Sequence, residues 1–281
     1  MIDTKAKKIL SIDLSRKQSE TKSFADLNTF IGGIGLGLKL YETYKEENPL
    51  IFSIGPLNGY FPFVSKTCVL VNNDGVIEDI YIGGGLSLRM RFAGIDALVI
   101  YGRSEGETVL EIQNSQVNFL PLQEKINDLG LPGKKSILTF ENDKIILDGY
   151  FTTPEDFLEQ NLKERKVGGI VITGTEIFKP ENFLEYEKIY NEILSRSEEM
   201  SVERGNYPSC SNCPMGCGKS KVGEIGGNVL IHSLVGCQFA DKIYTDIGIV
   251  FSCLNVLGYE YTHEDIENLP GLIEKTLKNL S

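Results

Sequence analysis

The chain contains no tryptophan, two histidines and four methionines among 281 residues. No apolar stretch approaches the roughly 18 residues that a membrane-spanning helix demands, so none is expected. His232 and His263 stand far apart in the sequence. Neither a Ser-His-Asp set nor a paired histidine metal knuckle is therefore legible. Positive charge is also scarce. Lys and Arg number 28 against 39 Asp and Glu, a net charge of -11. That balance argues against nucleic acid or an anionic membrane as a partner. The opening Met1–Ser15 has basic residues but no apolar centre, which does not read as a secretory signal. The expected address is the cytoplasm, where cysteines serve as thiols or metal ligands rather than disulfides.

What is present describes a globular protein with a real core: 41% of residues are hydrophobic and 24% charged. Lys8–Leu14 and Ser19–Phe24, joined by the polar Ser15–Gln18, read as a β-hairpin. Leu50–Ile54, Thr67–Asn72, Glu78–Ile82 and Ala97–Tyr101 are further strands, rich in Val and Ile. Val109–Gln113 with Gln116–Leu120 predicts a second hairpin, and Lys144–Leu147 and Val167–Thr173 predict two more strands. Helices are expected over Leu36–Tyr44, Leu86–Phe92, Pro154–Leu162, Pro180–Ser197 and Tyr244–Leu257. A last helix should start at the capping-box-like Thr262–Asp265. Composition changes near residue 200, where Gly, Ser, Cys and Pro become frequent. The expected organisation is an α+β body over 1–200, then a cysteine loop and small helical tail over 201–281.

Three of the six cysteines, Cys210, Cys213 and Cys217, fall within eight residues as C-x2-C-x3-C. Thiolates so spaced in a Gly- and Pro-containing loop can turn toward one inorganic centre. Iron–sulfur clusters use such runs with a fourth ligand from elsewhere. Zinc, which usually takes two short knuckles, and free thiols remain the alternatives. Cys237, after Gly236, is the better candidate for a fourth ligand; Cys68 and Cys253 read as core residues.

Two glycine runs invite a ligand reading. Gly32-Gly33-Ile34-Gly35-Leu36-Gly37 lacks the spacing and the preceding strand of a dinucleotide fingerprint, so close helix packing is its plainer meaning. Gly83-Gly84-Gly85 precedes a helix, and its amides could meet phosphate oxygens or merely form a tight turn.

Several fragments, taken in order, resemble the tungsten- or molybdenum-pterin aldehyde:ferredoxin oxidoreductases. They are Phe30–Tyr41, Asn48–Gly59, Gly83-Gly84 with Arg91–Ile100, the Cys210–Cys217 motif with Pro214, and Cys253–Glu260. The resemblance implies an amino-terminal base of two β-sheets related by pseudo-twofold symmetry, with a bis-pterin lying on it. It implies a [4Fe-4S] cluster at Cys210, Cys213 and Cys217, and oxidation of aldehydes to carboxylic acids with electrons passed to a ferredoxin-like carrier. Lys66, Gly83, Gly84, Gly85 and Glu260 fall where pterin contacts are expected. Lys66 stands where the family has Arg, and Tyr81 where it usually has Asn. The last helical domain, with the fourth cluster cysteine and further pterin ligands, has no counterpart here. The resemblance therefore implies a second chain that completes the site, with a homodimer as a further expectation.

Overall fold

The computed structural model describes residues 3–122, 125–220, 228–234 and 236–280. The eleven strands among them are β1 Lys7–Asp13, β2 Gln18–Phe24, β3 Leu50–Ser53, β4 Thr67–Asn73, β5 Val76–Ile82, β6 Ala97–Tyr101, β7 Thr108–Gln113, β8 Gln116–Pro121, β9 Ser136–Glu141, β10 Lys144–Leu147 and β11 Val167–Thr173. The helices are α1 Gly33–Thr43, α2 Leu86–Phe92, α3 Phe157–Glu164, α4 Phe183–Ser195, α5 Val229–Leu234, α6 Asp241–Tyr244, α7 Ile247–Val256 and α8 His263–Leu280.

The strands form two sheets, ordered β2-β1-β6-β3-β4-β5 and β10-β9-β11-β7-β8. Both are built on one plan. In the first, a hairpin (β1, β2) adds a parallel strand β6, which pairs antiparallel with β3 and through it β4. In the second, the hairpin β7, β8 adds parallel β11, which pairs antiparallel with β9 and through it β10. The two-sheet α+β architecture with internal repetition follows directly from these pairings.

Side-chain alternation explains the layering, since successive strand residues face opposite ways. Leu10, Leu50, Phe52, Val69 and Ile80 meet Leu110, Leu138, Ile145 and Ile170 in a core between the sheets, joined by α2 and α3. Ile9, Ile51, Leu70, Tyr81 and Val99 face the other way, into a second core with α1, α5, α7 and α8. The first sheet is therefore covered on both faces, which is why β3, β4 and β6 read as almost uninterrupted apolar runs. The polar β2 lies on its edge.

Several boundaries differ from expectation for local reasons. Helix α1 begins at Gly33, three residues early, because the glycines permit close approach: a Cβ at Gly33 would lie 1.9 Å from the His232 carbonyl oxygen. The helix expected over Tyr244–Leu257 is two, α6 and α7. Asp246 interrupts it by accepting the Gly248 and Ile249 amides at 3.1 and 3.4 Å. Helix α4 starts at Phe183, where Asn182 accepts the Glu185 amide. The Thr262–Asp265 capping box forms reciprocally at 2.7 and 3.2 Å. Strand β9 was not anticipated; its place between β10 and β11 depends on partners distant in sequence.

Candidate functional site

The cysteine loop lies on the end of the first sheet. The Ser211 amide donates to the Gly84 carbonyl at 3.0 Å, and the Phe63 amide donates to the Asn212 carbonyl at 2.9 Å. These bonds hold the loop against the Gly83–Gly85 turn on one side and the 55–66 segment on the other. Cys210 and Cys217 are buried and Cys213 is half-buried.

Burial sets the chemistry of these thiols. It raises the Cys210 thiol above its ordinary value, opposed by the nearby Lys66 charge. It pushes Cys213 up to about 12, and Cys210 and Cys217 push it further while the Met215 amide and Lys66 oppose. Cys210 and Cys213 are thus within electrostatic reach of Cys217 and of a lysine that is only 2% exposed. Cys237 is buried too, and Gly236 before it packs on Lys66, where a Cβ would lie 2.8 Å from the lysine carbonyl.

The donor chemistry suits a thiolate-bound iron–sulfur centre. Cys210, Cys213 and Cys217 would hold it, with Cys237 as fourth candidate and Lys66 offsetting negative charge. Among the described residues no three His, Cys, Asp or Glu side chains are gathered as a metal-holding group. Cys68 and Cys253 sit in the apolar core, and burial drives both thiols far above their ordinary range.

In the glycine turn the Gly85 amide is already engaged, donating to Asp148 Oδ2 at 2.6 Å. The other Asp148 oxygen accepts the Ser136 hydroxyl at 2.8 Å and the Ile137 amide at 3.0 Å. A Cβ at Gly84, whose φ is +91°, would lie 2.9 Å from the Phe151 ring. Glu260 is exposed and lines another cleft, beside Thr4, Asn28, Tyr261 and Asp265. Asp148 escaped the sequence reading. Its Asp-Gly pair signalled a turn, but nothing local signals a partner 63 residues away.

Residues 9–139 match the aldehyde ferredoxin oxidoreductase N-terminal domain. A relative from Pyrococcus furiosus, the aliphatic sulfonate oxidoreductase WOR-like subunit, is 30% identical over 125 residues. That match covers 39% of this chain and 20% of the relative, so the chain spans about one fifth of it. Among solved structures, the active site complex BamBC of benzoyl coenzyme A reductase in complex with 1,5-dienoyl-CoA has a similar fold. The TM-score is 0.61 at 16% identity, covering 76% of this chain and 46% of that one. No described helix is long and apolar enough to cross a membrane.

Proposed function

We propose that this chain is a cluster-carrying subunit of an aldehyde-oxidoreductase-type complex, acting in the cytoplasm. In this reading residues 1–200 are the base and 201–281 the cysteine loop and helical tail. Cys210, Cys213 and Cys217 hold a [4Fe-4S] cluster, with Cys237 as fourth ligand or a partner cysteine in its place. A second chain supplies the remaining helical domain and any tungsten or molybdenum pterin, and there aldehydes are oxidised to carboxylic acids. Electrons leave to a ferredoxin-like carrier.

The observation that carries this reading is the placing of three cysteines in one short loop, with the buried Lys66 charge acting on Cys210 and Cys213. A net-anionic cluster loses less on burial when a cation stands beside it. The comparisons support a multi-chain setting: the relative is described as a subunit and the structural neighbour as a complex. A second reading, a non-catalytic binding protein derived from the family, draws on the Gly85 amide already engaged by Asp148.

Anaerobic purification followed by iron, acid-labile sulfide and zinc analysis separates the readings. The cluster reading expects brown protein with iron and sulfide, both lost in Cys213→Ala. Colourless metal-free protein favours the second reading, and stoichiometric zinc without sulfide refutes both in favour of a structural metal.

A further inference from the structure

The link between β11 and α4 borders a cleft of about 550 Å³. That volume lies within the range of small-molecule sites, roughly 300–1,000 Å³. Its walls are largely aromatic. Tyr60 and Phe178 pack with ring centres 4.6 Å apart, and Phe183 and Tyr186 with centres 6.1 Å apart. Ile177 and Phe183 turn apolar surface outward, 84% and 52% exposed. Phe178 and Tyr186 also pack against the core, which makes this wall rigid.

Two cations line the same cleft, Arg89 and Lys134. Neither forms an ion pair or a side-chain hydrogen bond among the described residues. Arg89 is held by α2, with its guanidinium over the Phe92 ring at 5.0 Å. It is partly desolvated, which lowers its pKa from the ordinary value. The acid it feels, Asp148, already serves Gly85, Ser136 and Ile137. Among the described residues Glu176 is the one carboxylate lining this cleft. In a chain of net charge -11, two lining cations against one lining carboxylate leave a local positive excess on an aromatic surface, which favours an anion.

We infer that this cleft binds an amphipathic carboxylate, an aryl or medium-chain alkyl acid. Its head group meets Arg89 and Lys134, and its tail lies along Tyr60, Phe92, Ile177 and Phe183. The charge complementarity selects the anionic head, and the aromatic walls select the apolar tail. This inference is independent of the cluster reading, since it uses none of the cysteines.

Titration calorimetry of the full chain with 4-phenylbutanoate, and with its neutral amide as control, tests it. The acid should bind about tenfold more tightly than the amide, because a charge-assisted contact is worth about that factor. The exposed-residue variant Lys134→Gln should weaken the acid and leave the amide unchanged. Phe183→Ala should weaken both, and Arg89→Gln should erase the preference for the acid. Equal binding of acid and amide, or no binding of either at millimolar concentration, overturns the inference. So does an acid affinity unchanged in Lys134→Gln and Arg89→Gln, each checked as folded by circular dichroism.

Discussion

Replacing Lys7 with methionine should remove a pH dependence of stability that runs upward through mildly alkaline conditions. Lys7 lies on β1, 2% exposed, with its ammonium donating to the Tyr261 hydroxyl at 2.9 Å. The same nitrogen is 5.3 and 5.6 Å from the ring centres of Tyr259 and Tyr261, on the segment leading into α8. Burial lowers its pKa from 10.5 to about 8; Asp96 resists the fall and Arg91 adds to it. Between those two values the unfolded chain holds a proton that the folded protein has released. Stability contributed by Lys7 therefore rises with pH across that window, and below pH 8 the burial penalty on the charged amine is fully felt. A difference of about 2.5 units at 1.36 kcal/mol each amounts to about 3 kcal/mol. Buried thiols and phenols such as Cys68 and Tyr244, raised by burial, act in the opposite sense above their ordinary values. They are common to both proteins and cancel in the difference. Urea unfolding by circular dichroism at steps from pH 7.5 to 10.5 gives that difference. Wild type minus Lys7→Met should climb by about 3 kcal/mol over the window. A flat or falling difference would refute the argument, because it would mean that Lys7 titrates as a solvated amine.

Other expectations are simpler. Gly33→Ala places a Cβ 1.9 Å from the His232 carbonyl oxygen at a φ of +47°. It should cost about 3 kcal/mol or more and lower the thermal midpoint by several degrees. Asp148→Ala removes an exposed carboxylate that nonetheless joins Gly85 to Ser136 and Ile137. The loss should be about 1 kcal/mol, with faster amide exchange confined to Gly85 and Ile137; unchanged exchange at both would show that the bonds are not held in solution.

Sequence alone determined the local elements. Both hairpins follow from paired β-prone runs across polar turns, and the last helix follows from Thr262 and Asp265, three residues apart. The cysteine loop was legible because its three thiols lie within eight residues, and a short run needs no fold to be recognised. Tertiary structure alone decided the rest. Six strands of the first hundred residues and five of the next seventy-five repeat one pairing plan only through contacts such as β1 with β6 and β7 with β11. Asp148 reaches Gly85 across 63 residues, and Lys7 reaches Tyr261 across 254. No propensity or spacing encodes those contacts. They form because burying both faces of the first sheet brings distant segments together, and each buried amide, amine or thiol must then take whatever partner the packing supplies.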